Sequence, residues 1–488
     1  MNKKEKVISF IFLAMISIFF IMFYVIIHPI VLFDSDDWIN CCSFRDAIPL
    51  YGAWNPGRIL PEIMMPLCSK IGAYVIHPLF PKVSLFRALT YAYALNVTAA
   101  IVLVVSELYA LVWTKTKKIH ISIIGTLFFV LSIFWFFRSE YANNIYLLST
   151  RDLSTYYVYV IPNLFCSAAL LMLIRLSLEG KINDMWKGLG GAARIVLLYF
   201  CIFSNLWASV IIGIYVSLLL LRDIYNLVKK KEKIKYQTII WKVVILIGWL
   251  LAQFMEATGG RASYAVHSQT YMERMGTTIK NLVDMILKVN RACAVVIIAF
   301  TIYLFIRMIV KKDKVCANVL ILGAINIAAL MIYNVITCNK VDPEYIKRVD
   351  VLWGALLWII LTEVYAIITL CEYHQSIIVW LPLGLILIFC NIDTKGKTFD
   401  EALVGIDEPE DAYMICEYIA YQLKSADGQG LTSMDLIVPK FGAEDNWPIA
   451  TYVNSSISDM AYEYGITSHK LKIETIIPTV NITIPQFE

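Results

Sequence analysis

Long runs of apolar residues alternate with short polar segments over residues 1–391. The runs cover residues 7–27, 87–113, 119–137, 156–176, 195–221, 238–255, 293–310, 319–336, 351–370 and 376–390. A helix needs about twenty apolar residues to cross the hydrocarbon core of a membrane, and most of these runs are close to that length. The alternation therefore predicts an all-α polytopic membrane protein.

The composition agrees with this prediction, because the 488 residues are 59% hydrophobic and only 16% charged. Soluble domains are roughly 45–50% apolar and about 25% charged, so a soluble core does not account for the excess. Residues 7–27 could also be a signal peptide. No small-residue cleavage site follows them, which favours an uncleaved first span with a cytoplasmic N-terminus.

The lysines decide how residues 195–221 are divided. As one helix, this run would place the lysine cluster at residues 229–235 outside, against the positive-inside rule. Two short helices with a turn at Ser204 and Asn205 return the cluster to the inside. A polar break at this depth is tolerated only where it faces protein or a water-filled cavity. The pattern then predicts about eleven spans and an extracytoplasmic C-terminus.

Two segments do not fit the pattern of spans. Residues 34–86 form a proline-rich outer loop, in which residues 59–70 and 71–80 are predicted to be short interfacial helices. Residues 256–290 form a second outer loop. Residues 392–488 are polar, with amphipathic helices at 411–423 and 449–464 and strand patterns at 436–438 and 473–484, which predicts a small extracytoplasmic α/β domain.

Three carboxylates, Asp34, Asp36 and Asp37, directly follow the first predicted span. Because neighbouring carboxylates repel one another, at least one of their pKa values should rise unless a cation is bound. Such a group could act as a general base toward a hydroxyl, and Asp36 and Asp37 could hold Mg²⁺ or Mn²⁺. The same residues also suit an ordinary turn that ends a helix.

Further polar candidates lie on the same predicted side of the membrane. Arg58 follows Gly57 and could bind phosphate, although a pair with Glu62 one helical turn away is an equal alternative. Glu140 could complete a metal site or be an exposed loop residue. Outer cations at Arg261 and Arg348 suit an anionic lipid phosphate, although Arg348 lies in a segment of alternating charges that could pair internally.

Several function classes receive no support from the sequence. There is no basic patch with interleaved aromatics that would indicate nucleic acid, and neither a Walker A motif nor a glycine-rich dinucleotide motif is present. Most of the eleven cysteines lie in apolar runs, where they pack as small hydrophobes. Cys68 could form a disulfide with Cys41 or Cys42 in the outer loop.

The layout and a few motifs resemble the GT-C superfamily of membrane glycosyltransferases, in particular bacterial members related to O-antigen glucosyltransferases. Residues 36–38 (Asp-Asp-Trp) resemble the acidic motif of the first outer loop in that family. Trp54 with Gly57 and Arg58 resembles the Gly-Arg element that follows, and the Arg261 and Arg348 regions are similar to later outer-loop arginines. Ser204 and Asn205 depart from relatives that carry an acid at the corresponding break.

The resemblance implies a GT-C-like domain at residues 1–391 and an inverting transfer from a polyprenyl-phosphate sugar to a cell-envelope glycan. A first-loop carboxylate would be the base, with Asp34, Asp36, Asp37 and Glu140 as the catalytic group and Trp54, Arg58, Arg261 and Arg348 as the phosphate-binding group. A lipid-linked glycan flippase or exporter, or a glycan polymerase, would need outer arginines equally. The acids at span ends and the absence of a clear internal repeat favour the enzyme over the transporter.

Overall fold

The structure is a computed structural model that describes residues 2–32, 35–136, 153–229, 236–263, 269–374, 384, 409–438 and 453–476. Asp34, Glu140 and all but one residue of the predicted last span at 376–390 lie outside these residues.

The described residues are almost entirely helical. The helices and strands, in chain order, are α1 (Lys3–Ile27), α2 (Ser35–Asn40), α3 (Ile59–Leu79), α4 (Leu85–Thr116), α5 (Ile119–Trp135), α6 (Leu153–Leu178), α7 (Gly188–Ile202), α8 (Leu206–Lys229), α9 (Tyr236–Thr258), α10 (Tyr271–Leu287), α11 (Arg291–Val310), α12 (Lys314–Val341), α13 (Val349–Tyr373), α14 (Pro409–Gly428), β1 (Ser433–Ile437), α15 (Asn454–Glu463) and β2 (Lys472–Ile476). Short helical turns lie at Ile182–Asp184, Gly260–Ser263 and Pro343–Lys347.

Within the described part of the chain, nine helices are long and apolar enough to cross a membrane. These are α1, α3, α4, α6, α8, α9, α11, α12 and α13, and the shorter α5 and α7 are also apolar. Every predicted span that lies in the described residues is helical. The chain is therefore a multi-pass membrane protein, as the sequence predicts.

The centre of the bundle is formed by α4, α6 and α13. The most apolar windows of α6 and α13 are each 78% buried, whereas that of α11 is only 17% buried. Large apolar side chains such as Phe10, Ile298 and Ile309 are exposed on the peripheral helices. Helices that are apolar on every face need either protein or lipid around them, so α6 and α13 form the core and α1 and α11 face lipid.

Contacts between helix ends divide the bundle into two ends. Ser9 Oγ lies 2.7 Å from Tyr109 Oη, and Thr114 Oγ1 donates to Glu179 at 3.2 Å, so α1 begins where α4 and α6 finish. We call this the lysine-rich end, because the lysine-bearing ends of α4, α6, α8 and α11 lie there. The other end, where α1 finishes and α6 and α13 begin, contains all the described candidate residues and is called the site end.

The polar break in the run at 195–221 occurs where the sequence predicts it. Between α7 and α8, Asn205 Oδ1 accepts the N–H of Trp207 at 2.9 Å and caps α8. Asn205 Nδ2 donates to Val158 O at 2.9 Å, and the N–H of Leu60 donates to Phe203 O at 3.0 Å. The break is thus satisfied by neighbouring protein groups, as its depth requires.

The two outer loops differ from the prediction. The expected pair of short helices at 59–70 and 71–80 is one helix, α3, because a π-helical segment at Gly72–Ile76 continues the chain past Ile71. Gly72 lets this helix approach Leu89 closely, since a Cβ there would lie 2.6 Å from the Leu89 Cα. The expected loop at 256–290 is mainly the amphipathic helix α10, which begins with a capping box between Thr270 and Glu273.

The described part of residues 392–488 has the expected α/β character. Strands β1 and β2 pair in parallel, with Ser433 opposite Lys472, and α14 and α15 pack against them. The unit lies against the site end. Tyr464 Oη donates to Cys41 O at 2.7 Å beside α2, and Tyr413 Oη lies 2.8 Å from Thr90 Oγ1 of α4.

Candidate functional site

The first-loop acids occupy different environments. Asp37 is fully buried in α2, and its Oδ1 accepts the N–H of Ser154 at 2.7 Å, in the first turn of α6. A carboxylate in this position is stabilised by the unpaired N–H groups and the positive dipole end of the helix. Asp36, next to it, is exposed. Asp34 and Glu140 fall outside the described residues.

The Trp54–Arg58 segment is held by the turn that follows α9. The N–H groups of Gly260 and Arg261 donate to Ala53 O at 3.0 Å and to Trp54 O at 3.1 Å, so the two segments pair through their backbones. Glu256 Oε1 accepts the N–H of Gly57. The sequence elements at 54–58 and 259–261, which are about two hundred residues apart, are therefore joined directly.

Two glycines permit this close approach. A Cβ at Gly57 would lie 2.8 Å from Glu256 Oε1, and a Cβ at Gly259 would lie 2.8 Å from the Pro56 Cδ. Both distances are shorter than van der Waals contact, so a larger residue at either position would displace the side chain that faces it. The glycines beside the two arginines thus serve the packing of one segment on the other.

Glu62 pairs with Arg45 and not with Arg58. Arg45 Nη1 donates to Glu62 Oε2 at 2.8 Å and to Asn55 O at 2.7 Å, and both side chains of the ion pair are largely buried. The alternative pair between Arg58 and Glu62, one helical turn apart, is therefore not formed. Arg58 instead lines a cavity.

Arg348 lies behind the wall of that cavity. Its guanidinium binds Asp350 through Nε at 3.1 Å and Nη2 at 2.9 Å, and it stacks 3.9 Å above the Tyr159 ring. Burial alone would lower the pKa of Arg348, but the charges of Asp350 and Tyr159 and their hydrogen bonds together outweigh burial and raise it. Arg348 is thus permanently charged and paired within its own segment, and it supports Tyr159. The phosphate-binding prediction would require Arg348 to line the cavity, and it does not.

The cavity has a volume of about 250 Å³ and lies at the site end between the break before α8, the end of α9, and α12. Its charged lining residues are Arg58, Arg261, Lys340 and Glu256. Three cations thus face one carboxylate, which gives the cavity a positive potential. Trp54, whose side chain is 53% exposed, lies beside Gly260 next to the cavity and is not part of its lining.

A row of polar groups completes the wall. Tyr333 Oη donates to Gln253 Oε1, and Gln253 Nε2 donates to Ser209 Oγ at 3.1 Å. Lys340 Nζ donates to Ala257 O at 3.2 Å. The helix ends that meet here therefore hold the polar side chains in fixed directions, which is what a site for an anionic group requires.

Of the acids that the sequence offers for a metal, the structure describes Asp36 and Asp37. No group of three or more His, Cys, Asp or Glu side chains is close enough to hold a metal ion within the described ranges. Asp36 is exposed, whereas Asp37 is buried and accepts the N–H of Ser154. Cys41, Cys42 and Cys68 are free thiols, so the disulfide considered for this loop is not formed.

Sequence reasoning missed several members of the site. The cavity is also lined by Glu256, Lys340 and Tyr159, none of which is a candidate residue in the sequence analysis. One signal was available for Glu256, because it is an acid at the end of an apolar run directly before a Gly-Gly-Arg turn. The GT-C resemblance implies an acid near the break at Ser204 and Asn205. Glu256 and Asn205 both line this cavity.

A scan against models of known protein families and a search of curated proteins both find no match for this chain.

Proposed function

We propose that this protein is a membrane glycosyltransferase of the GT-C type that moves a sugar from a polyprenyl-phosphate donor to a cell-envelope glycan. The observation that carries the proposal is the convergence of Arg58, Arg261 and Lys340 on one cavity at the site end. These cations come from three segments that are far apart in the chain. Three positive groups around a single carboxylate suit the phosphate of a lipid-linked sugar.

The position of the cavity in the membrane supports a lipid-linked donor. By the positive-inside rule the lysine-rich end faces the cytoplasm, and the site end then faces outward. The lining includes Leu206, Ile336 and Val341, which offer an apolar surface to the first isoprenoid units. A donor could therefore place its phosphate among the cations while its chain stays in the hydrocarbon region.

The reaction requires a group that accepts a proton. The acceptor hydroxyl attacks the anomeric carbon, its new C–O bond forms as the sugar–phosphate bond breaks, and the polyprenyl phosphate leaves with the bonding electrons. We assign the proton of the hydroxyl to Asp37. Its carboxylate binds Ser154 on α6, and Tyr159, five residues further along, lines the cavity. Ser154 and Tyr159 both lie near the start of α6, so this helix connects the partner of the acid to the wall of the cavity.

The roles of the remaining groups follow from their contacts. Arg58, Arg261 and Lys340 bind the phosphate and stabilise the charge that develops when it leaves. Glu256 holds the Arg58 segment in place through the Gly57 N–H. Arg348 and Asp350 fix the Tyr159 wall.

Transfer of labelled sugar from polyprenyl-phosphate donors in proteoliposomes tests this proposal. We expect Asp37→Asn to abolish transfer and Asp36→Asn to leave most of it, because only Asp37 is buried and oriented by α6. Asp36→Asn is thus a matched control with the same chemical change one residue away. Equal loss of transfer in both variants would mean that the loss is not specific to the buried acid, and transfer that survives Asp37→Asn would refute the assignment.

One observation favours the exporter alternative. Glu363 is buried in the middle of α13, and its Oε1 has no hydrogen-bond partner within the part of the chain that the structure describes. The expectation that the acids lie only at the ends of spans is thus wrong for this residue, and such acids mark transport pathways in many membrane proteins. If the chain moves a lipid-linked glycan, Glu363→Gln should block the movement of a fluorescent lipid-linked sugar between leaflets. A transferase should be little affected by that change.

A further inference from the structure

A second cavity lies at the lysine-rich end, on the opposite side of the bundle from the proposed active site. It has a volume of about 400 Å³ and is formed by α4, α6, α8, α12 and α13. Most of its lining is apolar, including Leu108, Leu322 and Trp358. The cavity has no role in the proposed transfer reaction.

The shape of this cavity suits an acyl chain. Its α4 wall runs from Leu108 to Lys115, and seven residues of helix correspond to about 10 Å along the axis. At its rim, Leu178 is 57% exposed and Val315 is 48% exposed, so the cavity opens between helices toward the lipid. An apolar cleft that opens sideways near a membrane surface can accept a hydrocarbon chain without removing it from its leaflet.

Two cations stand at the mouth of the cleft. Lys115 and Arg222 both line it and are exposed. The nearest acids are occupied by other cations, since Glu107 binds Arg175 at 2.9 Å and Asp223 binds Lys242. The Arg222 guanidinium also forms an ion pair with Asp223, at 3.7 Å, so Asp223 is shared between Lys242 and Arg222.

Glu179 at the same rim is likewise engaged. Arg175 Nη1 lies 3.3 Å and Lys181 Nζ lies 2.9 Å from its carboxylate. The charge presented at the mouth of the cleft is therefore positive. Basic groups at a pocket between membrane helices on the cytoplasmic side are typical of sites for anionic lipid headgroups.

We propose that this cleft binds an anionic phospholipid, with its phosphate at Lys115 and Arg222 and an acyl chain along Leu322 and Trp358. We infer this occupant because the positive mouth of the cleft suits an anionic headgroup and its apolar depth suits an acyl chain. The site is independent of the transferase proposal, because it lies at the other end of the bundle and shares no residue with the first cavity.

Lipid binding to the delipidated protein, measured by native mass spectrometry, tests the inference. Phosphatidylglycerol and phosphatidylcholine are titrated separately. We expect tighter binding of the anionic lipid. Each cation near an anionic lipid is worth roughly fivefold in affinity, so Lys115→Gln with Arg222→Gln should weaken phosphatidylglycerol binding about 25-fold and phosphatidylcholine binding much less.

A matched control removes the same charge from the same end of the bundle. Lys229→Gln with Lys311→Gln changes two lysines that do not line the cleft, and phosphatidylglycerol binding should stay close to that of the wild type. Leu322→Trp fills the cleft and should reduce binding of both lipids if the variant remains monodisperse. Equal weakening by the two charge pairs would indicate a general surface attraction and overturn the inference. Equal affinity of the wild type for both lipids would overturn it as well.

Discussion

The contact between Gly57 and Glu256 gives a sharp test of how the site is assembled. A Cβ at residue 57 would lie 2.8 Å from Glu256 Oε1 and 3.0 Å from its Cγ. Because the end of a glutamate side chain can move, we expect Gly57→Ala to displace the carboxylate and break its bond to the backbone N–H. A hydrogen bond to a charged group contributes about 1.5–3 kcal/mol.

Part of this loss is offset, since alanine restricts the unfolded chain and thereby contributes about 0.4–1 kcal/mol. The net expectation is a decrease of about 1–2 kcal/mol in the free energy of unfolding. The variant should also bind donor more weakly, because the Arg58 segment loses its anchor.

Gly276→Ala is the matched control, since it lies on α10 with no atom within 4 Å of the added Cβ. There alanine should raise the stability of the helix by about 1 kcal/mol. Thermal unfolding in detergent measures both variants against the wild type. A Gly57→Ala protein as stable as the wild type, beside a stabilised Gly276→Ala protein, would refute the proposed role of Glu256 as an anchor.

Three further predictions follow from the contacts at the site end. Arg348→Gln leaves the buried Asp350 unpaired and should lower the free energy of unfolding by about 3–5 kcal/mol. The double variant with Asp350→Asn should recover most of this loss, and thermal unfolding of the single and double variants checks both expectations. Arg58→Gln should raise the KM for a polyprenyl-phosphate donor about 10- to 100-fold, whereas Lys347→Gln, which removes a cation outside the cavity, should not change it in the same transfer assay. Tyr464→Phe removes the bond from the C-terminal unit to Cys41 O and should cost about 1 kcal/mol, seen as faster hydrogen exchange over residues 35–41; unchanged exchange would mean that this contact does not hold α2.

The helices could be predicted from sequence because their signal is local. The apolar runs predict the positions of the helices. The lysines at 229–235 led to the prediction of a break in the run at 195–221, and the structure has this break at Phe203–Asn205. The α/β character of the C-terminal unit was likewise visible in short periodic patterns. Helix α3 was divided wrongly, since Pro66 and Gly72 weaken a helix locally. In the structure the helix continues through Gly72, which packs closely against Leu89.

The arrangement of the site could be predicted only in part, because it depends on contacts between distant segments. The sequence offered Arg58, Arg261 and Arg348 as phosphate-binding candidates; Arg58 and Arg261 line the cavity, and Arg348 does not. It offered Glu62 as an alternative partner for Arg58, since the two are one helical turn apart. The partner of Glu62 is Arg45, which lies 17 residues away. The position of Glu256 depends on a contact with Gly57 across 199 residues, and no local pattern predicts such a distance.

Photolabelling with a polyprenyl-phosphate sugar that carries a reactive group next to the phosphate tests the central claim most directly. The wild-type protein in proteoliposomes is labelled, digested and mapped by mass spectrometry. The account predicts labels in residues 256–262 and 333–345, which excess unlabelled donor competes away and Arg58→Gln strongly reduces. Labels confined to other segments, or labels at the cavity that neither competitor nor variant changes, would contradict the claim that this cavity holds the donor phosphate.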